Sequence, residues 1–200
     1  MGQSNDDPLS QSAAAERRPA YLRVGDPHPV SRQITLVDSD PAWPAQFERE
    51  AGRIRRALGE AALMVEHIGS TAIPGLIAKP ILDILLVVAK SADEASYVPA
   101  LEEAGYIFHL REPEWHEHRL LKGSEVAVNL HVFSQGSPET ERVLLFRDWL
   151  RQSHADRELY AQTKRHLAAQ RWQKTQEYAD AKSEVVEAIL ARARGAGGDC

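Results

Sequence analysis

The chain has 200 residues, 43% of them hydrophobic, which is enough to bury the core of a single soluble domain. A formal net charge of −5 argues against a protein that coats nucleic acids in general, and the single cysteine, Cys200, excludes an internal disulfide bond. No apolar run reaches membrane-spanning length, and the N-terminus lacks the pattern of a signal peptide. These features predict a cytoplasmic protein that does not enter a membrane.

The first part of the chain predicts a tail, a strand and a helix. Residues 1–30 are polar with little periodicity, and we expect a flexible tail there. Residues 34–37 predict a short strand. Asp40 is then the expected N-cap, and Pro41 the first residue, of a helix that ends at Gly59.

Residues 65–88 organise the rest of the chain. A short apolar strand leads into Gly69-Ser70-Thr71, where glycine allows close approach to a ligand and hydroxyls can cap a helix or touch a phosphate. Residues 81–88 are almost all apolar, which predicts a strand covered on both faces. Asp83 is the exception. Either it bonds to backbone N–H groups at a strand end, or it serves a metal or catalytic site, which we favour because unpaired carboxylates are costly to bury.

Further strands follow a predicted helix at residues 92–104. We expect strands near residues 106, 118 and 129, with the polar segment 111–119 forming an exposed loop or hairpin edge. Two histidines in this segment, His116 and His118, are weak metal candidates because no third ligand is evident. His131 lies within an apolar strand, and it is either a core histidine bonded to backbone or part of the site.

Three helices are predicted over residues 138–194, and two of them repeat one pattern. Tyr160 precedes Lys164 by four residues, and Tyr178 precedes Lys182 by four, so each pair shares a helix face. Residues 139–194 hold 11 basic and 9 acidic residues, which makes this the more positive part of a negative chain. The lysines either hold phosphate or simply cover tyrosine rings on a solvated helix.

Two strings carry a family resemblance. His-Ile-Gly-Ser-Thr-Ala-Ile-Pro-Gly-Leu at residues 67–76 and Lys-Pro-Ile-Leu-Asp-Ile at residues 79–84 resemble the GrpB family. A Gly-Ser turn followed by an aspartate in an apolar strand is also similar to the nucleotidyltransferase superfamily. The resemblance covers roughly residues 33–193. A related domain is fused to dephospho-coenzyme A kinase in some bacteria, which implies a link to coenzyme A biosynthesis.

The resemblance implies a fold and a domain organisation. The fold is α/β, with a nucleotidyltransferase-like mixed sheet flanked by helices and a C-terminal helical segment. The domain spans residues 31–194, with its C-terminal helices from about residue 138, and residues 195–200 form a frayed tail.

The resemblance also implies a site for a nucleotide or another phosphorylated small molecule. Asp83 and Ser70 are the implied catalytic residues. The implied phosphate-binding residues are Gly69, Ser70, Thr71, Lys79, Lys164 and Lys182. Asp83, His131 and His67 are the implied ligands of a divalent metal ion, magnesium or manganese, with zinc favoured by imidazole.

One departure from the superfamily leaves the function open. Leu85 stands where active nucleotidyltransferases carry their second metal carboxylate. The sequence therefore predicts either a metal-dependent nucleotidyltransferase or a module that binds a nucleotide or a protein without turnover.

Overall fold

The structure is a computed structural model that describes residues 22–23, 34–172 and 175–197. Its centre is a mixed sheet of six strands in the order β1-β4-β5-β6-β3-β2. The strands are β1 (Leu22–Arg23), β2 (Met64–Ile68), β3 (Leu82–Val88), β4 (Tyr106–Glu112), β5 (His118–Gly123) and β6 (Val128–Ser134). Only β3 and β6 are parallel neighbours, and the other neighbouring pairs are antiparallel.

Helices cover both faces of the sheet. They are α1 (Trp43–Leu58), α2 (Val98–Glu103), α3 (Pro138–Gln152), α4 (His154–Ala168), α5 (Thr175–Asp180) and α6 (Ser183–Ala196). None of the helices within the described ranges is both long and apolar enough to cross a membrane.

The β3 strand is apolar on both faces, as the sequence predicts. Ile84 and Leu86 pack toward α1 and α2 in the main core, whereas Leu85 and Val87 pack against α3. A strand between two helical layers buries nearly all of its side chains, with Asp83 the exception here, so it shows no polar alternation. The α/β class with a mixed sheet and flanking helices is therefore confirmed.

Three predicted elements differ from the structure. Residues 34–37 form only one isolated bridge, between Val37 and Ala78. The helix predicted at residues 92–104 shortens to α2 after a 3-10 turn, and Ser91 before it bonds to Ser134 and to the Glu117 carbonyl. The single helix predicted from residue 175 to 194 is divided into α5 and α6.

The ends of the chain also differ in part. Leu22 and Arg23 pair with β4 inside the predicted N-terminal tail, while residues 1–21 and 24–30 lie outside the described residues. The α6 helix runs through Ala196, so Gly195 is helical rather than frayed, and residues 198–200 lie outside the described part.

Of the two alternatives predicted for residues 111–119, the hairpin edge is confirmed, because β4 and β5 pair antiparallel across this segment, and the exposed loop is wrong at both of its ends. The β4 strand continues through Glu112, and β5 begins at His118, which is buried. The chain reverses between them through His116 and Glu117, with φ values of 53° and 50°. Sequence polarity suggested a loop because these side chains are polar, yet strand pairing buries several of them.

Candidate active site

The site begins where β2 ends and the backbone turns. Ile68 lies opposite Asp83 in the β2–β3 pairing, and Gly69 follows with a φ of 67°. A Cβ atom at Gly69 would lie 2.4 Å from Oδ2 of Asp83. Both the left-handed backbone and this close approach require glycine. The predicted glycine turn therefore lies directly against the predicted carboxylate.

The Asp83 carboxylate contacts neighbouring side chains and is partly exposed to solvent. Asn129 Nδ2 donates to its Oδ1 at 2.8 Å, and His131 Nε2 lies 3.6 Å from the same oxygen. No backbone N–H of the described residues bonds to the carboxylate, so the strand-end alternative is wrong. Its side chain is 32% exposed. Burial raises the pKa of Asp83, but His131, Asn129 and Lys79 together hold it below its ordinary value.

Lys164 is the most buried cation beside the turn. Its Nζ donates to Ser70 Oγ at 3.0 Å and to the Ile77 carbonyl, and the residue is only 2% exposed. Burial, together with the charges of Lys182 and Arg165, lowers the pKa of Lys164 to about 7. The alternative of a lysine on a solvated helix face is therefore wrong for this residue.

Two further lysines meet at a tyrosine ring. The Nζ atoms of Lys79 and Lys182 lie 5.7 and 4.7 Å from the centre of the buried Tyr178 ring. Lys164 lies 4.9 Å from the Tyr160 ring. Burial and the charge of Lys182 lower the pKa of Lys79. We call Lys79, Lys164 and Lys182 the lysine cluster, because the fold brings them together from three separate segments.

Two predicted residues, Thr71 and His67, turn away from Asp83. Thr71 is buried, and its Oγ1 lies 3.0 Å from Nε2 of His67. His67 pairs with Ile84 on the other face of the sheet and stacks on Phe47, with ring centres 4.8 Å apart. Burial and the charges of Arg151 and Arg147 lower the pKa of His67 to about 4, so its ring is neutral. His67 therefore does not join the predicted metal ligands, and Thr71 does not face the cleft.

The side chains around Asp83 do not fit a two-metal centre. No group of three or more His, Cys, Asp or Glu side chains in the described ranges is arranged to hold a metal ion. Leu85, at the position of the second carboxylate, is fully buried and apolar. Magnesium in such centres needs several oxygen ligands, and Asp83 supplies the only carboxylate beside Asn129 and His131.

Two further residues reach the site through His131: Glu112, which the sequence interpretation missed, and His118, which it considered only as a weak metal candidate. His118 Nε2 lies 3.1 Å from His131 Nδ1, and His118 Nδ1 lies 2.6 Å from Glu112 Oε2. The connection of His118 to His131 depends on the pairing of β5 with β6, which no local pattern specifies.

A cavity of about 610 Å³ adjoins the same turn. Its lining residues combine an aromatic surface with arginines and two carboxylates: Pro44, Phe47, Glu48, Glu66, His67, Ala72, Pro74, Arg147, Arg151 and Arg157. Arg147 is neutralised by Glu66 and Asp148, at 2.7 and 2.8 Å. The cavity therefore combines apolar surface from Pro44, Phe47, Ala72 and Pro74 with a larger number of charged and imidazole side chains.

Comparison with known proteins agrees with the resemblance in the two strings. The family model described as GrpB protein matches residues 33–192. A UPF0157 protein of Halalkalibacterium halodurans is 53% identical over 190 residues, covering 95% of each chain. The crystal structure of the conserved protein GrpB from Enterococcus faecalis superposes with a TM-score of 0.68 at 31% identity, over 80% of this chain and 96% of that chain.

A longer relative matches only in part. A dephospho-CoA kinase of Mycolicibacterium paratuberculosis is 33% identical over 144 residues. The match covers 58% of this chain and 35% of that protein. The shared segment is therefore one part of a longer protein in that organism.

Proposed function

The chain belongs to the GrpB family, and we propose that it binds a phosphorylated ligand of the nucleotide class between the Gly69–Ser70 turn and the lysine cluster. The observation that carries this proposal is the approach of three lysines to two tyrosine rings, with Lys164 also donating to Ser70 Oγ. Burial, and after it repulsion from the charge of Lys182, lowers the pKa of Lys79 and of Lys164. A phosphate anion relieves that repulsion and accepts their N–H groups.

The neighbouring cavity supports a nucleotide rather than free phosphate. It meets the Ser70–Ala72 turn at Ala72, and its volume of about 610 Å³ suits a nucleoside-sized group. A nucleotide whose phosphate chain binds the lysine cluster can thus place its base near Phe47. This arrangement also brings the polar edge of the ligand within reach of the exposed Arg151 and the partly exposed Arg157 of the cavity.

Metal-dependent transfer of a nucleotidyl group has less support. Asp83 is the one carboxylate that would hold a divalent ion, and with Leu85 in the second position the donors do not fit a pair of magnesium ions. We therefore propose binding as the primary function. A protein-interaction role remains the alternative, and the partial match to a dephospho-CoA kinase is the observation that favours it.

Titration calorimetry with ATP, UTP and inorganic pyrophosphate tests the proposal. We expect binding by the wild type, and a loss of about ten- to a hundredfold in affinity for Lys164→Met, since a charge-assisted hydrogen bond contributes about 1.5–3 kcal/mol. Lys79→Met should weaken binding less, because Lys79 does not bond to Ser70.

Lys90→Met is the matched control. Lys90 is exposed and follows the far end of β3, roughly 23 Å along the chain from Asp83 at the strand spacing. It should leave affinity unchanged. Absence of binding by the wild type, or equal losses in the Lys90 and Lys164 variants, would refute the proposed site and leave the interaction role as the better explanation.

A further inference from the structure

The cavity of about 610 Å³ lies beside the edge strand β2 and is lined by one face from each of two helices. On α1, Phe47 and Glu48 lie three and four residues after Pro44, so the three share a helix face. On α3, Arg147 and Arg151 are four residues apart and share a face in the same way. Side chains of β2 and of the first turn of α4 complete the wall.

The arginines of this cavity differ in how far their charge is compensated. Arg147 bonds to two carboxylates. Arg157 donates through Nη1 to the carbonyls of Leu150 and Arg151, at 3.0 and 3.2 Å, and no carboxylate of the described residues forms an ion pair with it. Carbonyls at the end of a helix orient a guanidinium group without neutralising it. Arg157 therefore keeps its charge and N–H groups for a ligand.

Two further lining residues keep hydrogen-bonding capacity. Arg151 donates through Nε to the Ala72 carbonyl at 3.0 Å, and its one ion pair, at 3.2 Å, is with an Asp148 oxygen that Arg147 also contacts. Glu48 is exposed, and within the described part of the chain its carboxylate has no cationic partner. The cavity thus offers fixed donors from α3 and α4 and an unpaired acceptor from α1.

This mixed lining favours a neutral planar ring that carries donors and acceptors on different edges. Guanine has the acceptors O6 and N7 on one edge and the donors N1–H and N2–H on another, and arginine is the usual partner of its O6 and N7. A carboxylate accepts from the donor edge. Adenine instead places an amino donor beside N7, where it opposes an arginine N–H group. Uracil offers a single ring N–H donor and fills less of the volume.

We propose that the cavity is a guanine site, in which Arg151 and Arg157 donate to O6 and N7 while Glu48 accepts from N1–H and N2–H. The proposal names the base of the ligand, so it rests on the nucleotide-binding function proposed above. The base packs against Phe47, whose partly exposed ring is fixed by parallel stacking on His67, with centres 4.8 Å apart and 9° between the planes. Contact with an aromatic ring adds affinity for every base, so the polar groups decide which base binds.

Calorimetry with nucleotide analogues tests each contact as a ratio of affinities. We expect the wild type to bind GTP about ten- to a hundredfold more tightly than ATP. It should also bind GTP about two- to tenfold more tightly than 7-deaza-GTP, which lacks the N7 acceptor, and than inosine triphosphate, which lacks the N2 amino group. A wild type that binds ATP as tightly as GTP overturns the proposal, whatever the variants do.

Two variants assign the contacts to residues. Arg157→Met should abolish the preference for GTP over 7-deaza-GTP. Glu48→Met should abolish the preference for GTP over inosine triphosphate, and because Glu48 is exposed on a helix this variant should fold normally. Preferences that persist in both variants overturn the assignment of the two edges.

Exposed residues on the same helices provide matched controls. Glu60 lies beyond the C-terminal end of α1, roughly 15 Å from Glu48 at the helical rise, and Arg165 lies about 12 Å after Arg157 along α4. Glu60→Met and Arg165→Met should keep both preferences. Each preference is a ratio measured within one variant, so a general loss of stability does not imitate it. Equal losses in control and cavity variants overturn the proposed contacts.

Guanosine and pyrophosphate separate this inference from the proposed function. Guanosine carries no phosphate, so saturation-transfer NMR with guanosine and adenosine tests the cavity without the lysine cluster. We expect transfer to guanosine that exceeds transfer to adenosine and that falls in Arg157→Met. Pyrophosphate binding without any preference for guanine overturns this inference and preserves the lysine site. Guanosine binding without pyrophosphate binding supports the guanine site and refutes the lysine site.

Discussion

Two carboxylates in this protein, Glu94 and Asp83, meet opposite surroundings. Glu94 accepts hydrogen bonds from Arg111 and from Arg119, whose Nε lies 2.6 Å from Oε1. Arg111 in particular, with Arg119, lowers the pKa of Glu94. Asp83 accepts one hydrogen bond, from the neutral amide of Asn129. Charge at Glu94 is thus neutralised within the fold, whereas charge at Asp83 is only partly compensated.

The difference between Glu94 and Asp83 separates polar groups that stabilise the fold from polar groups that can still bind a ligand. A carboxylate bonded by two guanidinium groups has little left to offer a small molecule. The Asp83 carboxylate instead keeps accessible surface beside the lysine cluster and His131. If this distinction is correct, substitutions at Glu94's partners should affect stability, and those near Asp83 should affect binding.

The largest expected effect on stability comes from Arg119→Met. Arg119 is buried and donates to Glu94 and to the carbonyls of Glu117 and His118, so its loss should lower the free energy of unfolding by about 3 kcal/mol. Chemical denaturation measures this. The exposed pair of Arg165 with Glu158 is the control, and Arg165→Met should change stability by no more than about 0.5 kcal/mol. Equal losses of stability in the Arg119 and Arg165 variants would show that burial of an ion pair does not decide its contribution.

The next effect concerns the turn against Asp83. Gly69→Ala combines a left-handed backbone with a Cβ atom 2.4 Å from Asp83 Oδ2, and we expect a loss of about 2–3 kcal/mol in stability together with weakened ligand binding. Gly136→Ala has a similar φ of 80° but no atom within 4 Å of its Cβ, so only backbone strain of about 1 kcal/mol applies. Similar losses in both variants would show that the contact with Asp83 is unimportant.

The third effect is a pair of opposite pH trends from Lys164. The pKa of Lys164, about 7, lies below that of a lysine in the unfolded chain, so above pH 7 the unfolded chain binds more protons than the folded one. The free energy of unfolding of the ligand-free wild type should therefore rise with pH above 7, compared with that of Lys164→Met. Anion binding favours the charged form. The ratio of wild-type to Lys164→Met affinity for pyrophosphate should therefore fall by about tenfold between pH 6 and 8.

Thermal or chemical unfolding and calorimetry in matched buffers give the two trends. A constant affinity ratio across this range would show that Lys164 does not contact the ligand. A constant stability difference would show that its ammonium group remains charged in the fold.

The smallest effect on stability is expected from Asp83→Asn. Asparagine preserves shape and removes a partly compensated charge, so stability should change by less than about 1 kcal/mol. Without metal, pyrophosphate should bind more tightly to this variant, because a negative charge beside the lysine cluster is gone. If the wild type binds pyrophosphate more tightly than Asp83→Asn when manganese is present, an ion bridges Asp83 and the ligand. That result would contradict the poor fit of the side chains around Asp83 to a metal centre.

Local sequence patterns predicted the turn and the buried strand well. Gly69 and Asp83 were found because each breaks a pattern: a glycine directly after a strand, and a carboxylate in an apolar run. The tyrosine–lysine spacing of four residues predicted shared helix faces, which is confirmed for Tyr160 and Lys164 on α4. It is wrong for the second pair, because α5 ends at Asp180 and Lys182 is the N-cap of α6, although Lys182 still lies against the Tyr178 ring. The polar segment 111–119 misled the same reasoning, since burial of Glu112 and His118 depends on partners distant in sequence.

The sequence by itself determined the family, the alternation of strands and helices, and the side chains from which a site could be built, because periodicity and short motifs are local. Only the tertiary structure decided which of these meet: it joined Lys164 to Ser70, turned His67 to the other face, and linked Glu112 and His118 to His131. Strand order and register set these distances, and they follow from the packing of the whole sheet between its helices.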